Sequence, residues 1–145
     1  MRTRTILLVE DTQSDEMLVL RALGKVNLDN RVDVARDGQQ ALDYLFREGE
    51  FAGRGGQGLP AVVLLDMNLP RMSGLEVLKR LRADVRTRLL PIVILTSSDE
   101  ERDRVRSYEY GANSFVRKPI GFAEFSETVV RLGVYWTLAN IPPEG

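Results

Sequence analysis

Five short apolar runs recur along the chain, each followed by residues of helical spacing. Thr5-Ile6-Leu7-Leu8-Val9, Val32-Asp33-Val34-Ala35, Val62-Val63-Leu64-Leu65, Pro91-Ile92-Val93-Ile94-Leu95-Thr96 and Ser114-Phe115-Val116-Arg117 read as strands. Val62 to Leu65 carries no polar break, which suits a strand buried on both faces of a parallel sheet. The intervening helices are predicted from Met17, Leu18, Leu20, Ala22 and Leu23, from Ala41, Leu42, Leu45 and Phe46, and over 74–83, 100–110 and 122–139. Ser14 and Asp99 are the expected helix caps, and Asp37-Gly38, Leu69-Pro70 and Ser73-Gly74 mark turns. Residues 48–59 hold five glycines and little apolar material, the pattern of a mobile surface loop. In the last helix Phe122, Phe125, Val129, Leu132 and Trp136 are expected to face the sheet, while Val130, Val134, Tyr135 and Leu138 spread apolar surface to other sides.

Strands alternating with helices predict an α/β fold, a doubly wound five-stranded parallel sheet with helices on both faces. Right-handed crossovers leave few strand orders, and the flavodoxin-like order 2-1-3-4-5 suits five strands. The 145 residues fit one domain, with a core over about 4–139 and a short tail at 140–145. That order sets the first and third strands side by side. Glu10 and Asp11 after the first strand and Asp66 after the third then meet at one mouth, joined by Thr96 from the fourth and Lys118 from the fifth.

The mouth narrows the chemistry. Clustered carboxylates repel one another, and a hard divalent ion that prefers oxygen ligands offsets them better than one ammonium does. Beside such an ion, Asp66 is a nucleophile for phosphorus, Thr96 a hydroxyl donor and Lys118 a point charge for phosphoryl oxygens. The chain has no histidine, which excludes a His-based triad and a phosphohistidine carrier, and no cysteine, which excludes disulfides and thiolate metal sites. Its 20 basic and 21 acidic residues give no bulk charge for nucleic acid or anionic lipid. The apolar run before Glu10 is too short for a signal peptide or a membrane span, so a cytoplasmic protein is expected. Gly53-Arg54-Gly55-Gly56 lacks the Lys-Ser/Thr ending of a phosphate loop and precedes a strand.

Glu10-Asp11, Asp66, Thr96 and Lys118-Pro119, each behind its own strand, resemble the receiver domain of two-component response regulators over nearly the whole chain. The resemblance implies that Asp66 accepts phosphate from a histidine kinase. It implies that Glu10, Asp11, Asp66 and the backbone carbonyl of Asn68 hold Mg2+ or Mn2+, with Asp11 binding directly and Glu10 through water. Thr96 and Phe115 would be the switch pair, and Lys118-Pro119 a cis peptide. Phe115 stands where Tyr is commoner, and Asn68 and Ser98 fall where the family tunes phosphate lifetime. The long loop before the third strand and the ending Val134-Tyr135-Trp136 with Asn140-Ile141-Pro142-Pro143 resemble small response regulators paired with bacterial phytochrome kinases. No DNA-binding motif follows the fifth strand, so a stand-alone receiver is expected, self-associating as a homodimer through helix 4, strand 5 and helix 5. The alternative is a non-phosphorylated receiver that acts only as a binding module. A phosphatase of the haloacid dehalogenase type needs a second Asp two residues after the nucleophile, where this chain has Asn68.

Overall fold

A computed structural model describes residues 5–25, 31–54, 58–98, 100–119, 121–141 and 143. In chain order the elements are β1 (Thr5–Val9), α1 (Gln13–Gly24), β2 (Arg31–Ala35), α2 (Gly38–Phe46), a 3-10 turn (Gly49–Arg54), β3 (Val62–Leu65), α3 (Gly74–Ala83), β4 (Ile92–Thr96), α4 (Glu101–Glu109), β5 (Ser114–Arg117) and α5 (Phe122–Val134), which continues as a π-helical turn over Tyr135–Ala139. All strands pair in parallel, in the order β2-β1-β3-β4-β5. The doubly wound sheet expected from the alternation is therefore present.

Side-chain alternation divides the core into two layers. Leu7, Val9, Val63, Leu65, Ile92 and Ile94 pack with residues of α2 and α3 on one face. Ile6, Leu8, Val62, Leu64 and Val93 pack with residues of α1 and α5 on the other. Gly133 allows these last two helices to close, since a Cβ there would lie 2.5 Å from Leu23 Cδ2.

Several local expectations are corrected. α1 begins before Ser14, with Thr12 as its N-cap, and its buried side is Val19, Ala22 and Leu23 while Met17 is exposed. Asp37 does more than turn the chain: its side chain accepts from the Gln40 amide at 2.8 Å and caps α2. Within 48–59 the chain forms the 3-10 turn, where Phe51 packs edge-on against Tyr44 at 5.4 Å between ring centroids. Of the last helix's expected inward residues Phe122 is exposed, whereas Phe125, Val129 and Trp136 are buried, together with Gly133. The expected cap Asp99 lies outside the described residues. No peptide bond among those residues is cis, so Lys118-Pro119 is trans, the isomer an X-Pro bond favours by about 0.5–1 kcal/mol.

Candidate functional site

Register builds the site. Val9 pairs with Leu65, so the next residue of each strand, Glu10 and Asp66, leaves the sheet at the same level. Their amides still continue the ladder, Glu10 N–H donating to the Ala35 carbonyl at 3.0 Å and Asp66 N–H to the Val9 carbonyl at 3.1 Å. At the other side of the mouth, Lys118 N–H donates to the Thr96 carbonyl at 2.6 Å. Backbone pairing thus fixes where each functional side chain starts, before any side-chain contact forms.

Glu10 and Asp66 are buried, at 2% and 7% exposure, whereas Asp11 is exposed. Each of the three offers a carboxylate oxygen within 4.8 Å of the others, close enough to share one cation. Lys118, whose side chain is only 9% exposed, donates to Glu10 Oε2 at 2.8 Å, Asp15 Oδ2 at 2.8 Å and Asp66 Oδ2 at 3.1 Å. The second Asp66 oxygen accepts from the Asn68 amide at 2.9 Å, and the second Glu10 oxygen from the Thr12 amide at 3.2 Å. The Asp66 carboxylate is therefore oriented through both oxygens.

The electrostatics follow from crowding. Burial pushes the Glu10 carboxyl up to about 7, and the neighbouring Asp66 charge adds to this against the opposing hydrogen bond from Lys118. Burial alone would lower the Lys118 ammonium, but its hydrogen bonds to Asp15 and Glu10 and the charges of Asp66 and Glu10 outweigh it and raise it above the ordinary lysine range. A mouth holding a protonated lysine and an acid resisting ionisation is short of positive charge. An oxygen-seeking divalent cation fits that deficit and that donor set.

Thr96 is fully buried at the end of β4, and its hydroxyl oxygen accepts from the Ser98 amide at 3.2 Å. Ser98 in turn donates to Asp103 at 2.6 Å, tying the β4–α4 loop to the first turn of α4. Phe115 is half-buried against the α2–α3 layer. Asn68 is exposed beyond Asp66.

Two residues of the site escaped the sequence reading. Asp15 has no motif around it, and an acid in a helix's first turn reads as ordinary dipole complementarity. Gly74 was read as a turn and the start of a helix, yet a Cβ there would meet the Asp66 carbonyl oxygen at 2.2 Å. The start of α3 packs directly on the loop that presents Asp66, and its Gly-specific contact is visible only in three dimensions.

Comparison with known proteins agrees with this geometry. The family described as "Response regulator receiver domain" matches residues 6–130. The chain belongs to the response regulator receiver family. Among curated relatives, the probable methanogenesis regulatory protein FilR2 of Methanothrix harundinacea is 40% identical over 139 residues, covering 95% of this chain and 86% of that protein. Response regulator Rcp1 of Synechocystis is 32% identical over 133 residues, covering 92% of this receiver and 88% of Rcp1. The crystal structure of the phosphorylated cyanobacterial phytochrome response regulator RcpA superposes with a TM-score of 0.90 at 32% identity, covering 97% of this chain and 99% of that one. The Mn2+-bound form of Rcp1 gives 0.88 at 31%, covering 97% and 99%. The bacteriophytochrome response regulator AtBRR gives 0.77 at 52% identity, covering 97% and 100%. The receiver is thus a two-component signalling module related to phytochrome response regulators. Among the described residues no helix is long and apolar enough to cross a membrane.

Proposed function

We propose that this receiver takes a phosphoryl group onto Asp66 from the phosphohistidine of a phytochrome-type histidine kinase, in a reaction that needs Mg2+ or Mn2+. The observation that carries the reading is Lys118 Nζ, 3.1 Å from Asp66 and 2.8 Å from Glu10, at the point where Glu10, Asp11 and Asp66 converge. Glu10, Asp11, Asp66 and the Asn68 carbonyl would hold the cation, which supplies charge screening between carboxylate and phosphoryl group and favours in-line geometry. An Asp66 carboxylate oxygen attacks phosphorus, the P–N bond breaks, and its electron pair stays on the kinase imidazole. The attacking group is already an anion, so no general base is required, consistent with a chain that lacks histidine. Lys118 keeps its charge and faces the oxygens of the transferred group, while Thr96 supplies a hydroxyl from the end of β4. The phytochrome-type partner is supported by the likeness to RcpA and AtBRR, and the cation by the likeness to Mn2+-bound Rcp1.

The signal would leave through Thr96 and Phe115. A turn of the Thr96 hydroxyl toward phosphate loosens its contact with Ser98, and the half-buried Phe115 ring moves inward beside it. The output face is α4-β5-α5, where Val105, Tyr108 and Tyr135 are exposed, and a homodimer through this face suits them. Intact mass after incubation with acetyl phosphate and Mg2+ tests the chemistry: one phosphoryl group is gained, and none in Asp66→Asn. An unchanged wild-type mass would leave only the non-phosphorylated binding module. Sedimentation as a monomer with and without a phosphate analogue would remove the dimer.

A further inference from the structure

Lys118 has three N–H donors, and three carboxylates accept them: Glu10 and Asp15 at 2.8 Å each and Asp66 at 3.1 Å. Two of these partners are committed elsewhere in the proposed chemistry. Asp66 stops being a carboxylate anion once it carries phosphorus, and Glu10 belongs with the acids that can share a cation. Asp15 differs from both. It stands in the first turn of α1, outside the group of acids close enough to share one ion, and its carboxylate is partly open to water at 29% exposure.

We infer that Asp15 is a positioning residue for Lys118: from α1 it holds the ammonium at the mouth while the other two partners change state. This rests on the phosphoacceptor reading above. Lys118 is a point charge on a flexible four-carbon stem, so its placement depends on what it is bonded to rather than on its own shape. With Asp15 in place, the longest of the three contacts is the one released when Asp66 is phosphorylated. That donor is then free for a phosphoryl oxygen without movement of the nitrogen. Asp15, Leu18, Ser97 and Phe122 line a cavity of about 300 Å3 beside Lys118, space into which a stem released from Asp15 would move.

The experiment measures acetyl phosphate-driven phosphorylation across a Mg2+ series for wild type, Asp15→Asn and Asp15→Glu, alongside the NMR signal of the Lys118 ammonium. Asp15→Asn is expected to lower the rate at saturating Mg2+ about tenfold, because misplaced catalytic groups lose rate steeply. Its half-saturating Mg2+ concentration should stay put, and Asp15→Glu should recover most of the rate. The Lys118 ammonium should give a slowly exchanging resonance in wild type that shifts in Asp15→Asn. A rate unchanged or raised in Asp15→Asn overturns the inference, the latter showing a competitor for Lys118. A deficit that excess Mg2+ erases also overturns it, by placing Asp15 in the cation site. Should Asp15→Asn fail to fold, Asp15→Ser takes its place: a lowered saturating rate with a moved Lys118 resonance supports the inference, and a wild-type rate refutes it. A wild type that takes up no phosphate but keeps that resonance would defeat the phosphoacceptor reading and leave the contact intact.

Discussion

Two cations withdrawn from solvent sit at opposite ends of β5, and they are satisfied in opposite ways. Lys118, directly after the strand, faces three carboxylates. Arg82, at the end of α3, reaches the residues just before the strand and, among the described residues, meets neutral acceptors: the Gly111 carbonyl at 2.9 Å, the Thr87 carbonyl at 3.1 Å and Asn113 Oδ1 at 2.9 Å. Burial lowers the Arg82 guanidinium, whereas around Lys118 acidic partners overcome the same effect. The guanidinium fork is planar and matched to fixed acceptors, so it locks α3 to the loop before β5. The ammonium is surrounded by charges that a phosphoryl group or a divalent ion can replace. One cation is built to stay and the other to exchange partners.

The sharpest way to break that contrast is to remove the exchanging cation. Lys118→Met keeps much of the stem and deletes the charge. We expect phosphorylation by acetyl phosphate to slow about a hundredfold, the scale of losing one donor aimed at a transition state. In the absence of divalent ions the melting temperature should fall, since Glu10, Asp15 and Asp66 then face one another without the ammonium. Added Mg2+ should restore most of it. A Lys118→Met protein that phosphorylates at the wild-type rate would mean that the ammonium is as structural as the guanidinium.

The complementary change is Arg82→Met. Here the expected loss is stability, roughly 2 kcal/mol for carbonyl and amide acceptors left unsatisfied. The loss should be the same with and without Mg2+, and the phosphorylation rate should stay within about twofold, because well-separated sites act independently. Denaturant melts with and without Mg2+ decide it. A loss that Mg2+ repairs would tie Arg82 to the acidic mouth and dissolve the distinction.

How much of this was legible in the chain depends on whether the signal is local. The unbroken run Val62 to Leu65 gave β3 to the residue, and alternation of strands with helices gave the sheet order, because both follow from period and connectivity. The convergence of Glu10, Asp11 and Asp66 was legible for the same reason, each being the first residues past a strand end. Phe122 misled because it shares a helical side with Val129, yet it lines the cavity beside Lys118, past the ends of the strands. The long-range contacts of Arg82 and Asp15 were invisible: Gly111 and Lys118 lie 29 and 103 residues away from them, and nothing in an Arg or an Asp on a helix reports a distant partner.

A third cation, Arg86, marks the lower limit of the comparison. Arg86 pairs with Asp84 through two side-chain bonds, at 3.0 and 2.8 Å, on the open surface, and its guanidinium lies 4.3 Å over the Phe46 ring. The Arg86 hydrogen bond, with a further bond from its backbone amide, holds the Asp84 carboxyl down at about 2. A depressed carboxyl contributes to stability above its ordinary value near 3.8 and loses that contribution as pH falls through about 2. Arg86→Met removes the fork while keeping an aliphatic stem for Phe46. An NMR titration should then find Asp84 moved upward toward its ordinary value, while melting at neutral pH hardly changes, because solvent screens an exposed pair. A large fall in melting temperature at neutral pH would contradict this. It would show that an open pair of charges can hold this fold as firmly as the Arg82 clamp, and that burial is not what separates Arg82 from Arg86.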